Sequence, residues 1–94
     1  MTAYIALVHK DEGTSYGVSF PDVPGCISAD YTFEKAVANA SEALAGHFDV
    51  MRADDETVPM TRSFDQLKRD PAFTEDAEGA IVTMVTPREM AGAE

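Results

Sequence analysis

The chain has one cysteine and only 7 lysines and arginines in 94 residues, and each shortage closes off a class of function. Cys26 has no second cysteine to pair with, which points to a reducing, cytoplasmic compartment rather than a disulfide-held secreted fold. Thr2-Ala3-Tyr4 follows Met1 with no basic stretch, and no apolar run approaches the ~18 residues that span a bilayer. Neither a signal peptide nor a membrane segment is therefore expected. Against the few basic residues stand 17 aspartates and glutamates, a net charge of −10 spread along the whole length. A surface of that sign is soluble and repels nucleic acid, so direct nucleic-acid binding is not expected. A basic protein is the electrostatic expectation for any macromolecular partner. The length suits one domain, able to bury about 60–70% of its unfolded surface without metals or disulfides.

Catalytic sets are equally scarce. Cys26 is the only thiol and His9 and His47 the only imidazoles, and no local spacing joins them. Acidic surroundings discourage a thiolate, so Cys26 reads as a packing residue and the histidines as structural or solvated. None stands in a metal-ligand spacing. Asp22 and Asp30 flank a turn, and Asp11-Glu12 sit in a loop, but a two-metal site needs several carboxylates converging on cations. These read as solvated loop acids. There is no glycine-rich phosphate loop and no basic surface interleaved with aromatics. No catalytic residue, metal or cofactor is expected, and the chain does not read as an enzyme.

What the chain does have is organised around Tyr16–Cys26, YGVSFPDVPGC. Tyr16, Val18 and Phe20 alternate with Gly17 and Ser19, the period-two pattern of a half-buried strand. Pro21 cannot donate to a ladder and weakens pairing there. Val23-Pro24-Gly25-Cys26 reads as a type II turn, with Pro24 presetting a negative φ and Gly25 supplying the positive one. Pro21, Pro24 and Gly25 are explained as turn chemistry; a rigid exposed turn beside Phe20 also suits a recognition edge.

Taken in order, Ala3–His9 is an apolar strand with Ile5 and Leu7 on one face and Tyr4, Ala6 and Val8 on the other. Residues 10–15 form a polar hairpin loop leading to the Tyr16 strand, and Cys26–Asp30 gives a weaker third strand. Thr32 reads as an N-cap. From Phe33 the apolar residues Ala36, Val37, Ala40, Leu44, Phe48 and Met51 step by three and four along one helical face. Gly46 costs about 1 kcal/mol inside that helix, which leads us to expect a close backbone approach there. The helix should end near Met51–Ala53, before Asp54-Asp55-Glu56. Ser63 and Gln66 match a capping box for a short second helix stopped by Asp70-Pro71. Phe73 reads as a small anchor and residues 74–79 as an acidic turn. Ala80–Thr86, rich in β-branched residues and apolar on both faces, reads as a central or interface strand, which implies self-association. The expected fold is α+β, ordered β-β-β-α-(short α)-β. An antiparallel-rich sheet carries one long helix on one face, with residues 1–87 as the domain and 88–94 as a flexible tail.

The run YGVSFPDVPGC followed closely by TFEKAVANASEAL resembles the HicB family of antitoxins. The matching positions are Phe20 to Gly25, then Thr32, Phe33, Glu34, Ala36, Val37, Asn39, Ala40, Glu42, Ala43 and Leu44. The resemblance implies a partly degenerate ribonuclease-H-like fold without nuclease activity. It also implies that the chain neutralises a HicA-type toxin, a small basic protein that cleaves mRNA, by covering its active surface. On this reading Glu12, Phe20, Pro21, Asp22, Pro24 and Asp30 are the expected partner contacts. HicB proteins usually continue into a segment that binds their operator DNA, whereas this chain stops shortly after Pro87, so operator binding is not expected of it. The alternative is an orphan HicB-like oligomeric module that binds another protein or a small ligand, with no toxin partner.

Overall fold

The computed structural model describes residues 2–10 and 12–88. Strands β1 (Tyr4–Lys10), β2 (Tyr16–Ser19) and β3 (Ile27–Asp30) form an antiparallel meander. Helices α1 (Phe33–Ala53), α2 (Phe64–Lys68) and α3 (Pro71–Ala77) follow, and β4 (Ile81–Val85) then pairs antiparallel with β1. The sheet order is β3-β2-β1-β4.

Strand β1 is buried on both faces, because each face of its period-two pattern is apolar. Tyr4, Ala6 and Val8 join Val18, Phe20, Val23 and Val85 in one core under α1, whose Ala36, Ala40, Leu44 and Phe48 supply the facing stripe. Two alanines on that stripe let the helix sit low on the sheet. Ile5 and Leu7 face the other way and meet Leu67 of α2 and Phe73 of α3. The sheet is therefore covered on both sides, by the long helix on one and the two short helices on the other.

Thr32 caps α1 as expected, accepting from the Lys35 N–H at 3.1 Å. The far end closes as a Schellman motif: Asp55 stands at φ 61, Asp55 N–H donates to Arg52 O and Glu56 N–H to Met51 O. Ser63 and Gln66 form the expected capping box of α2.

Four expectations need correction. The acidic turn expected over residues 74–79 is for the most part a helix, α3, with Asp70 as N-cap accepting from Ala72 N–H and Pro71 at its first position, and Phe73 on it is the buried anchor expected. Asp-Pro starts this helix as well as stopping the previous one, because proline's missing N–H costs nothing at a first turn. The final strand is not central: β1 is, and β4 lies at the sheet edge, with Ile81, Val82 and Met84 exposed. Apolar residues on both faces mark two-sided burial and an uncovered edge alike, so composition could not separate them. Gly46 meets no close backbone approach; the space where its Cβ would stand is open. The third strand starts at Ile27, one residue later than expected, because Cys26 is occupied in the turn. Of the expected tail, residues 89–94 lie outside the described residues. Arg88 donates its N–H to Ser41 O, while Ser41 Oγ donates to Thr86 O, so the chain leaving β4 is tied to α1.

Two opposite glycine exchanges test this account of α1. Gly46→Ala removes the helix-interior penalty into open space, and Asp55→Gly removes the left-handed strain at the helix end. Each should raise unfolding stability by about 0.5–1 kcal/mol in urea melts. In contrast, Leu44→Ala empties the core under β1 and should cost about 2–5 kcal/mol.

Candidate functional site

The turn between β2 and β3 is built as its residues predict. Cys26 N–H donates to Val23 O at 3.2 Å and Gly25 takes φ 88, the geometry of a type II turn with Pro24 exposed at its tip. Val23 N–H closes an earlier turn on Phe20 O at 3.1 Å. Phe20, 4% exposed, points into the core under α1 and anchors the loop from within.

Asp22 is the electrostatic centre of this end of the molecule. Its side chain is 6% exposed. One carboxylate oxygen accepts from Arg62 N–H and the other from Arg62 Nε, both at 2.6 Å. The same guanidinium donates from Nη1 to Asp70 Oδ2 at 3.0 Å. Asp22–Arg62–Asp70 thus ties the β2–β3 turn, the linker after α1 and the N-cap of α3 into one network. Hydrogen bonds from Arg62 and then from Ala72 N–H hold the Asp70 carboxyl below its ordinary range, and the two carboxylates push the Arg62 guanidinium still higher. Nearby, the Tyr4 hydroxyl donates to Pro59 O at 2.6 Å and pins the linker to β1. Burial, with the Asp22 charge adding to it, raises the Tyr4 phenol above its usual value, so it stays a donor.

The six expected contact residues do not converge. Phe20, Pro21, Asp22 and Pro24 lie at one end of β2. Asp30 pairs with Tyr16 at the other end, beside the hairpin loop that carries Glu12. Among them Glu12 and Pro24 are exposed, while Phe20 and Asp22 spend their side chains on the core and the Arg62 network. Asp30 is engaged by Tyr31 N–H and by Asn39 Nδ2, which also donates to Ala29 O, so Asn39 of α1 closes the β3 edge. Arg62 went unread in the sequence, since it stands 40 residues from Asp22 with no local pattern to join them.

Cys26 is buried and its thiol pKa is raised by that burial, the opposite of an activated nucleophile. Among the described residues no group of three or more His, Cys, Asp or Glu side chains is placed to hold a metal ion. An open groove of about 420 Å³ lies beyond the second core, lined by Phe64, Phe73, Ala77 and Val82, with Glu75 and Glu78 beside them. The Phe64 and Phe73 rings meet edge to face at 6.2 Å. Among the described residues no helix is long and apolar enough to cross a membrane.

This arrangement, a four-strand antiparallel sheet between one long helix and two short ones, is shared with solved antitoxins of toxin–antitoxin pairs. The model for the HicB-like antitoxin of bacterial toxin–antitoxin systems matches residues 4–91, and the chain belongs to that family. It resembles the crystal structure of the Burkholderia pseudomallei antitoxin HicB at TM-score 0.77 and 29% identity, covering 100% of this chain and 68% of that one. The N-terminal domain of the same antitoxin gives TM-score 0.75 and 30% identity over 94% of this chain and 100% of that one. A chain in a HicA3–HicB3 toxin–antitoxin complex gives TM-score 0.73 and 27% identity over the same shares. An uncharacterised 14.9 kDa protein of Haemophilus phage HP1 is 41% identical over 70 residues, which are 74% of this chain and 50% of that protein. The chain therefore spans about half the length of that relative.

Arg62→Ala should lower stability by about 1.5–3 kcal/mol, because it leaves the Asp22 carboxylate enclosed without its charged partner. The Asp70 arm has a pH signature. Its folded pKa lies below the unfolded one, so its contribution is complete above about pH 4 and is lost as pH falls through the folded value. Urea midpoints measured from pH 7 to 2 should show a shallower acid limb in Asp70→Asn than in the unaltered chain.

Proposed function

We propose that this chain is an antitoxin that binds a small basic HicA-type mRNA-cleaving toxin and masks its active surface. It acts in the cytoplasm, as a homo-oligomer, without catalysis and without direct nucleic-acid binding. The observation that carries the reading is the likeness to a chain of the HicA3–HicB3 complex, which extends over the whole of that chain. The net charge of −10 supports it, since opposite charge speeds encounter with a basic partner and disfavours RNA or DNA as competitors. The meander β3-β2-β1 with a fourth strand beside β1 supports a partly degenerate ribonuclease-H-like sheet, from which the antiparallel run of β4 departs. Exposure favours Glu12 and Pro24 among the expected contacts, with Asp22 acting through the shape of the turn.

Co-expression with the neighbouring small basic reading frame, and purification through a tag on this chain, tests the proposal. A defined complex, with growth arrest when this chain is withheld, is the expected result. A chain that emerges alone and gives no protection overturns it. Glu12→Lys should slow association at low salt and lose that effect at high salt, since an exposed charge acts through long-range attraction.

A further inference from the structure

The two edges of the sheet are treated differently. Strand β3 is four residues long and carries Asp30. Asn39 reaches over from α1 to the Ala29 carbonyl, and Ser28 Oγ donates to Ala36 O. Those are the features by which natural sheets close an edge. Among the described residues strand β4 has none of them. Ile81-Val82-Thr83-Met84-Val85 contains no charge and no proline, and α1 lies mainly over β3 and β2. Ile81 is 51%, Val82 40% and Met84 60% exposed. A strand of this composition with one unpaired side is a template for another strand.

We propose that β4 pairs antiparallel with β4 of a second copy, joining two four-strand sheets into one through a two-fold axis at Thr83. The register follows from the residues. A two-fold axis through an antiparallel pair keeps each face of the sheet on its own side, so the axis must pass through a residue pair. Centring on Val82 sets Ile81 against Thr83 and Val85 against Gly79; centring on Met84 sets Ile81 against Pro87. Centring on Thr83 places Ile81 opposite Val85 of the second copy on the α1 face, and Val82 opposite Met84 of the second copy on the other. Every apolar residue of the strand then has an apolar partner. The same register brings Glu78, before the strand, to the side of Arg88 of the second copy, after it. Both are exposed, with Arg88 held beside Glu42 of its own chain. Val82 also lines the groove of Phe64, Phe73 and Ala77, so the flexible Met84 side chain of the second copy stands at its mouth. The proposal deepens the self-association in the reading above and is independent of toxin binding.

Sedimentation of the 94-residue chain over a range of concentrations should show twice the mass of one chain. Dimerisation should strengthen as salt screens the repulsion between two acidic chains, the opposite of the salt response of a basic partner. Met84→Lys, at an exposed position that the single chain tolerates, should weaken the dimer at least about tenfold with circular dichroism unchanged. Thr83→Cys should form a disulfide-linked dimer on mild oxidation and Ile81→Cys should not, because only residue 83 faces itself. Cys26 is buried and contributes no background. A chain that stays monomeric at every concentration overturns the proposal. So does a dimer that Met84→Lys leaves intact, which would place the interface elsewhere. A monomeric chain that loses capture of a HicA-type toxin on Met84→Lys also overturns it, by giving the edge to that partner instead.

Discussion

Everything in this fold depends on β1 being buried on both faces. Tyr4, Ala6 and Val8 commit one face to α1, and Ile5 and Leu7 commit the other to α2 and α3. Because β1 sits between β2 and β4 with both faces apolar, cover must reach it from both sides of the sheet. The long helix is enough for one side. The other is covered by only two short helices, which bring one fully buried leucine and one buried phenylalanine between them. Helices of five and seven residues are not stable alone. Their persistence depends on their capping and on what ties them to the rest of the molecule.

That tie is the Asp22–Arg62–Asp70 network. Arg62 stands immediately before the N-cap Ser63 of α2, and Asp70 is itself the N-cap of α3. Asp22 holds Arg62 from the turn between β2 and β3. The turn that looks from its sequence like an exposed recognition element thus also positions the helices on the far face. Two engaged carboxylates on one guanidinium satisfy its planar fork of donors in a way that lysine would not. The consequence for function is indirect but definite: altering Asp22 changes the shape of the molecule before it changes any partner contact.

The local elements were legible because each has a short-range signature. The Phe20–Gly25 turn, the Thr32 cap, the Ser63 box and the α1 stripe all lie within a few residues of what determines them. The misreadings share one cause, which is that their determinants are distant. Whether an apolar strand such as β4 is central or at an edge depends on which strands pair with it, and both cases produce the same residues. The helix at Pro71 is hidden behind Asp-Pro, a dipeptide that terminates one helix and is as good an initiator of the next. The open space at Gly46 and the reach of Arg62 to Asp22 belong to tertiary geometry, and no local pattern encodes them. The expected contact set divides into two groups for a related reason. Its members were chosen by chemistry along the chain, whereas β2 separates them into two groups at opposite ends of one strand.

The asymmetry between the two sheet edges carries the argument from fold to assembly. Negative charge of this density keeps copies of the chain apart, and it should act on every face equally. Yet the segment Gly79 to Pro87 carries no acidic residue and stays apolar along a strand whose outer side has no partner among the described residues. Had solubility been the only constraint, that edge would be the cheapest place to put a lysine or a glutamate, since Ile81, Val82 and Met84 are already in contact with water. Their exposed side chains contribute little to the core of one copy, and their chemistry is that of a buried ladder. A surface that is costly for the isolated chain and complementary to itself in a single register is best explained by the state in which it is covered.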